Sequence, residues 1–203
     1  MLSLVILCSP LQVRAEEGVK QNSCISPQAV QLQEQMRRLW IDHTTWTHNY
    51  IVSALAGLKD KDKVLARLLR NQADIGNAIK PYYGEDAGNK LHELLKDHIL
   101  IAGKVVDAAK KGNQANLKKY DAEWHKNADD IAKFLSSANP NWTESEWKDL
   151  LYMHLKMVTD QVTARLKKDW DADIAASDLG EDHIIKIADT LTNGIIKQFP
   201  NQF

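Results

Sequence analysis

The amino-acid sequence predicts an all-α fold, a helical bundle of about six helices built from three repeated helical hairpins. Three observations predict it. The 203-residue chain holds only nine glycines and five prolines, with Ala, Leu, Lys, Asp and Asn abundant. Apolar residues recur at helical spacing, and no segment alternates as a half-buried strand would. The chain also matches itself. An offset of 56 lays Asn71, Asp74 and Ile75 on Asn127, Asp130 and Ile131, and Leu94, Leu95 and His98 on Leu150, Leu151 and His154. An offset of 55 lays His43 on His98. Self-similarity at that period marks a repeated supersecondary unit.

The elements follow in order. Ser26-Pro27 reads as an N-cap with proline at the first helical position, opening a helix to about Ala56. Its apolar stripe is Met36, Leu39, Trp40, His43, Trp46, Tyr50 and Ala54. A second helix spans about Lys61 to Ile79, with Pro81 and the "PYYG" turn as its stop. A third runs from about Asp86 to Lys111 and ends at Gly112, and a fourth from about Gln114 to Ser137 ends at "NPNW". Thr143 with Glu146 has the form of a capping box for a fifth helix reaching Ala176. Gly180 then precedes a last helix over about Glu181 to Gln198. Residues 26–203 are expected to form one domain, since this length can bury a sizeable core.

The start of the chain differs in character. Residues 1–15 carry a short apolar run, Leu2 to Leu7, followed by Val13-Arg14-Ala15, which fits the small-residue rule for signal-peptide cleavage. A basic segment before the apolar run is missing, and Leu7 is bulky for the residue preceding a lipid-modified Cys8. Residues 16–25 read as a polar, disordered leader. After cleavage Cys24 is the single cysteine left, so no intramolecular disulfide is expected. No apolar run is long enough to span a bilayer. The expectation is an exported domain without a transmembrane segment in the mature chain. With 26 basic against 27 acidic residues, net charge implies no nucleic-acid partner.

The stretch "HELLKDHI" imitates the zinc-protease motif, but six residues part His92 from His98. That spacing sets the two rings about 120° apart around the helix, too far to share a metal. His98 belongs instead with His43 and His154, which hold the same place in the long helix of each hairpin. Asn71/Asp74 and Asn127/Asp130 stand at i, i+3 beside the stripes carrying Ile75 and Ile131. Imidazoles and carboxylates projecting from facing helices are how bundles build metal sites. The candidate metal ligands are therefore His43, His98, His154, Asp74 and Asp130, with zinc, copper, iron or manganese as candidate ions. Asn71 and Asn127 would orient the ligands, and Trp46 and Tyr50 could line a pocket beside His43. Asp189 or His183 could complete the third hairpin. A bland reading stands beside this one: each histidine is a satisfied core residue bonded to a carbonyl or an aspartate.

Other features carry less. His48 points away from His43, His92 and His125 fall off the repeat, and His183 with Glu181 and Asp182 suits a cap. The "DAD" run, Asp171 to Asp173, lies on a helix rather than a strand-end loop. No phosphate-binding glycine loop, nucleophile elbow or Cys-x-x-Cys pair occurs.

The segments "LWIDHTTWTHNYI", "RLLRNQADIGNAIKPYYG", "LLKDHILIAGKVV", "NADDIAKFLSSANPNW" and "HIIKIADTLTNGIIKQFPNQF" resemble a family of exported bacterial all-helical proteins without an established activity. The resemblance runs from about Leu39 to Phe203 and rests on the histidines, the Asn-x-x-Asp steps and the "QFP" ending. It implies the helical fold and export, and no mechanism. The function expected is an exported binding protein whose interior His/Asp cluster holds a metal ion or small polar ligand. Two alternatives remain: a helical interaction or scaffold module of the envelope with structural His–Asp pairs, and a metal-dependent enzyme using an open coordination position. A large exposed apolar patch would favour the second reading, and a cleft wide enough for a substrate the third.

Overall fold

The computed structural model describes residues 26–203. The expectations for 1–15 and 16–25, including Cys8 and Cys24, lie outside the described residues. Five helices make up the rest: α1 (Pro27–Ala56), α2 (Lys61–Lys110), α3 (Gln114–Ala138), α4 (Glu144–Lys167) and α5 (Trp170–Gln198), with a 3-10 turn at Pro200–Gln202. Among the described residues there is no strand, and no helix is long and apolar enough to cross a membrane.

Local chemistry sets most of the helix ends. Ser26 accepts the Ala29 N–H, Asn113 that of Asn116, Thr143 that of Glu146 and Asp169 that of Ala172, so four helices open on a side-chain cap. Two expectations about the elements change. The second and third helices run as one element, α2, broken by a kink at Gly84, the last residue of the "PYYG" turn, where the backbone is non-helical, while Pro81 is accommodated inside the first arm. Gly84 has φ 83°, a conformation open to glycine at little cost. The fifth helix stops at Lys167 rather than Ala176. Lys168 turns left-handed with φ 59°, and α5 then runs straight through Gly180.

The bend in α2 is sharp. Twelve residues along a straight helix would separate Gly76 from Gly88 by about 18 Å, yet a β-carbon on Gly76 would lie 2.6 Å from the Gly88 carbonyl oxygen. The two arms of α2 therefore press backbone to backbone, and His92 packs against the same crossing. The "PYYG" aromatics brace the bend against the chain's end. Tyr82 stacks on Phe203 and packs on Phe199, and the Tyr83 hydroxyl donates to Gln198 while accepting from Asn139.

Each helix packs on the next, and α5 returns to α1, so the bundle closes into a ring. Inside lies one apolar core that includes Met36, Ile75, Trp124, Trp147, Leu155 and Ile187. At the seam where α5 meets α1, Arg37 grips Asp189 with two 2.7 Å bonds. Asp189 is thereby committed to closing the ring.

Gly76→Ala should destabilise the fold by about 1–3 kcal/mol, because the added methyl must push the α2 arms apart. Urea unfolding of the two proteins measures it. An unchanged midpoint would mean that the arms do not touch at this crossing.

Candidate functional site

Helices α1, α2 and α4 each send one histidine inward, and the three meet. His43, His98 and His154 are 2%, 3% and 4% exposed. The ring centroids of His43 and His154 are 5.3 Å apart, and those of His98 and His154 6.1 Å. The Nε2 atoms of His43 and His154 face each other at 3.4 Å.

His98 is fully bonded. Trp124 Nε1–H donates to His98 Nε2 at 3.0 Å, which requires a lone pair there. Asn127 uses its Nδ2 on the Leu94 carbonyl, so its Oδ1 accepts from His98 Nδ1–H at 2.8 Å. The ring is thus a neutral Nδ1–H tautomer. Burial pushes its pKa down to about 4, with Asn127 opposing. His43 falls further, to about 3, first through burial, then through His98, with Gln72 opposing. Burial, then His43, His98 and His183, hold His154 well below the usual imidazole range.

His43 and His154 are less well provided for. Gln72 lies close enough to His43 to oppose the fall in its pKa, but His43 Nδ1 and Gln72 Oε1 do not meet in a well-formed hydrogen bond, and the nearby Trp40 Nε1 and Thr47 Oγ1 have no partner among the described residues. A small cavity opens beside His154, bounded by Thr44, Thr47, Met157, Gln161 and Ser177. Its volume of about 20 Å³ holds one ion or one water.

A further set of bonds fixes the level at which these helices meet. Asn71 donates to the Leu39 carbonyl at 2.9 Å, Asn127 to that of Leu94 at 3.1 Å, and His183 Nε2–H to that of Leu150 at 2.8 Å. Each of these leucines stands four residues before one of the three histidines. In an α-helix that carbonyl also accepts the histidine's own backbone N–H, and its second lone pair takes the neighbouring helix's donor.

The structure thus gathers the three histidines and both asparagines, and leaves the aspartates out. Asp130 is exposed and bonds Lys126 at 2.8 Å. Asp74 is half-buried and shares no hydrogen bond or ion pair with the imidazoles. The cause is angular: three residues after an inward asparagine, the side chain has rotated about 60° away from the core. The expected His/Asp interior is a histidine–amide interior. Trp46 and Tyr50 are engaged elsewhere. Trp46 carries the Arg67 guanidinium 5.1 Å above its ring, and Tyr50 packs on Gly103.

His48 turns toward Asp173, its Nε2 3.6 Å from the carboxylate that also holds Arg165. The "DAD" run therefore supplies a part-buried ion pair between α4 and α5, its carboxylate buried and its guanidinium partly exposed. His125 bonds the Asp121 carbonyl on the surface. Trp124, Thr47, Gln72 and Met157 went unread in the sequence. Of these only Trp124 had a usable mark, one turn before Asn127 on the same stripe.

Among the described residues no group of three or more His, Cys, Asp and Glu side chains is arranged to hold a metal ion. The chain matches no family model, and no curated protein or solved structure matches it.

These imidazoles must shed their protons to fold, whereas in the unfolded chain they ionise near pH 6.5. Stability is therefore fully present above about pH 6.5 and falls as the pH drops toward the folded values near 3 and 4. Each histidine contributes about 1.4 kcal/mol per pH unit to that fall. Urea unfolding at pH 6 and pH 5 should show the slope, and His43→Gln should reduce it by about one histidine's share. An identical slope in the variant would contradict the burial of a neutral His43.

Proposed function

We propose that this is an exported helical-bundle binding protein that holds a metal ion between His43 and His154. One observation carries the reading: their Nε2 atoms face each other at 3.4 Å. With metal–nitrogen bonds of about 2.05 Å, two ligands on a tetrahedral ion stand about 3.4 Å apart. Burial keeps both rings neutral, the form that donates to a metal, so no proton need be displaced at neutral pH. His98 acts here through its neighbours. Both of its nitrogens are committed, and with Trp124 and Asn127 it forms a polar wall beside the pair. Asn71 and Asn127 orient the helices that carry the ligands, and Asp74 and Asp130 take no part.

The wider reading of a small polar ligand narrows to an ion, because the cavity beside His154 admits one water-sized species. We also read α1 to α5 as three duplicated hairpins, supported by the equivalent bonds from Asn71, Asn127 and His183 to Leu39, Leu94 and Leu150. Export rests on the apolar run and cleavage pattern of residues 1–15. The interaction-module reading keeps one supporting observation. Trp170 and Ile174, one turn apart on α5, are 52% and 58% exposed.

Protein purified without a His tag should bind one zinc ion in a calorimetric titration. His43→Gln with His154→Gln should abolish that binding while helical content by circular dichroism is kept, and Asp130→Asn should leave it intact. Absence of binding by the wild-type chain, with zinc and with the softer monovalent ions alike, would overturn the reading.

A further inference from the structure

We propose that the ion held at this place is monovalent copper, bound by His43 Nε2, His154 Nε2 and the thioether of Met157. The inference rests on the metal-binding reading and sharpens it. Met157 follows His154 by three residues on α4, which sets the two side chains on adjacent rows of one helix face. Both line the same small cavity, together with Thr47. Thr47 is 8% exposed and its hydroxyl has no hydrogen-bond partner among the described residues, so a buried polar atom borders the space where an ion would sit.

The charge of the ion follows from its surroundings. Every donor in reach is neutral, and both aspartates that could have offset a second positive charge stand outside the cluster. The cost of burying an ion rises with the square of its charge. A dication here would meet that cost without a carboxylate or thiolate to offset it, while a monocation meets about a quarter of it. Hardness points the same way. Imidazole with thioether suits soft copper(I), whereas manganese, magnesium and calcium select carboxylate and carbonyl oxygen. Geometry agrees as well. Two bonds of about 2.05 Å spanning 3.4 Å enclose an angle of about 110°. A third donor can then approach from the cavity side, where Met157 lies. Binding involves no change of oxidation state, because the ion is taken up as copper(I).

The test is an anaerobic titration of the tag-free full chain with copper(I) against a chromophoric copper(I) chelator. Cys8→Ser and Cys24→Ser are introduced so that leader thiols cannot compete, and zinc is titrated in parallel. One copper(I) ion should bind more tightly than zinc, and X-ray absorption at the copper edge should find two nitrogen neighbours and one sulfur. Met157→Leu, which conserves volume, should remove the sulfur and weaken copper(I) roughly ten- to a hundredfold, with zinc affinity unchanged. Zinc bound more tightly than copper(I), or a copper site without sulfur, would overturn the copper assignment and leave the histidine-pair reading standing. Binding of neither ion would overturn both.

Discussion

Burying three imidazoles in one apolar bundle is the constraint on which the rest of the structure depends. An uncharged polar group taken from water without a partner costs several kcal/mol, and a charged one far more. The rings must therefore be neutral, and their nitrogens must find partners from other helices. That requirement explains residues that would otherwise look incidental. Trp124 sits one turn before Asn127 so that both can reach His98, and Asn127 divides its amide between His98 and the Leu94 carbonyl. The polar centre thereby specifies which helices are neighbours, something an apolar core of equal volume does only by shape.

The same centre fixes how far along each helix its neighbour docks. A donor from the next helix bonds the carbonyl four residues before each histidine, whether the donor is Asn71, Asn127 or His183. Sliding one helix past another would break such a bond inside the core, at a cost of about 1–3 kcal/mol for the stranded group. Ring closure is then handled at the rim. Arg37 and Asp189 join α1 to α5, and Arg165 and Asp173 join α4 to α5. Tyr82 and Tyr83 seat the chain's end against the bend of α2.

Much of this was legible in the sequence, and the failures have physical causes. Helix starts were readable because caps are local: Ser26 and Thr143 both act as their positions suggest. The α4–α5 break was hidden because Lys168 turns left-handed without a glycine, while Gly180, the more obvious breaker, sits inside a helix. Which histidines face inward followed from stripe position and self-similarity. Which acids accompany them did not. Asp74 and Asp130 lie near enough to the stripe to suggest burial, but an i+3 step carries them to the flank. His183 was hard to place because it does an asparagine's work with a different side chain.

The chain also contains its own comparison for what a structural histidine requires. His98 has a donor on one nitrogen and an acceptor on the other, an arrangement complete without any further species. His43 and His154 lie in the same core at the same depth, yet their close approach is nitrogen to nitrogen at 3.4 Å, longer than a strong N–H···N bond. His43 Nδ1 has the Gln72 side chain near it without a well-formed hydrogen bond. The His43–His154 contact, unlike the bonding of His98, leaves a ring nitrogen of His43 without a well-formed partner, beside a cavity of about 20 Å³. That difference in bonding is what supports the proposal that the pair, rather than His98, is the candidate site.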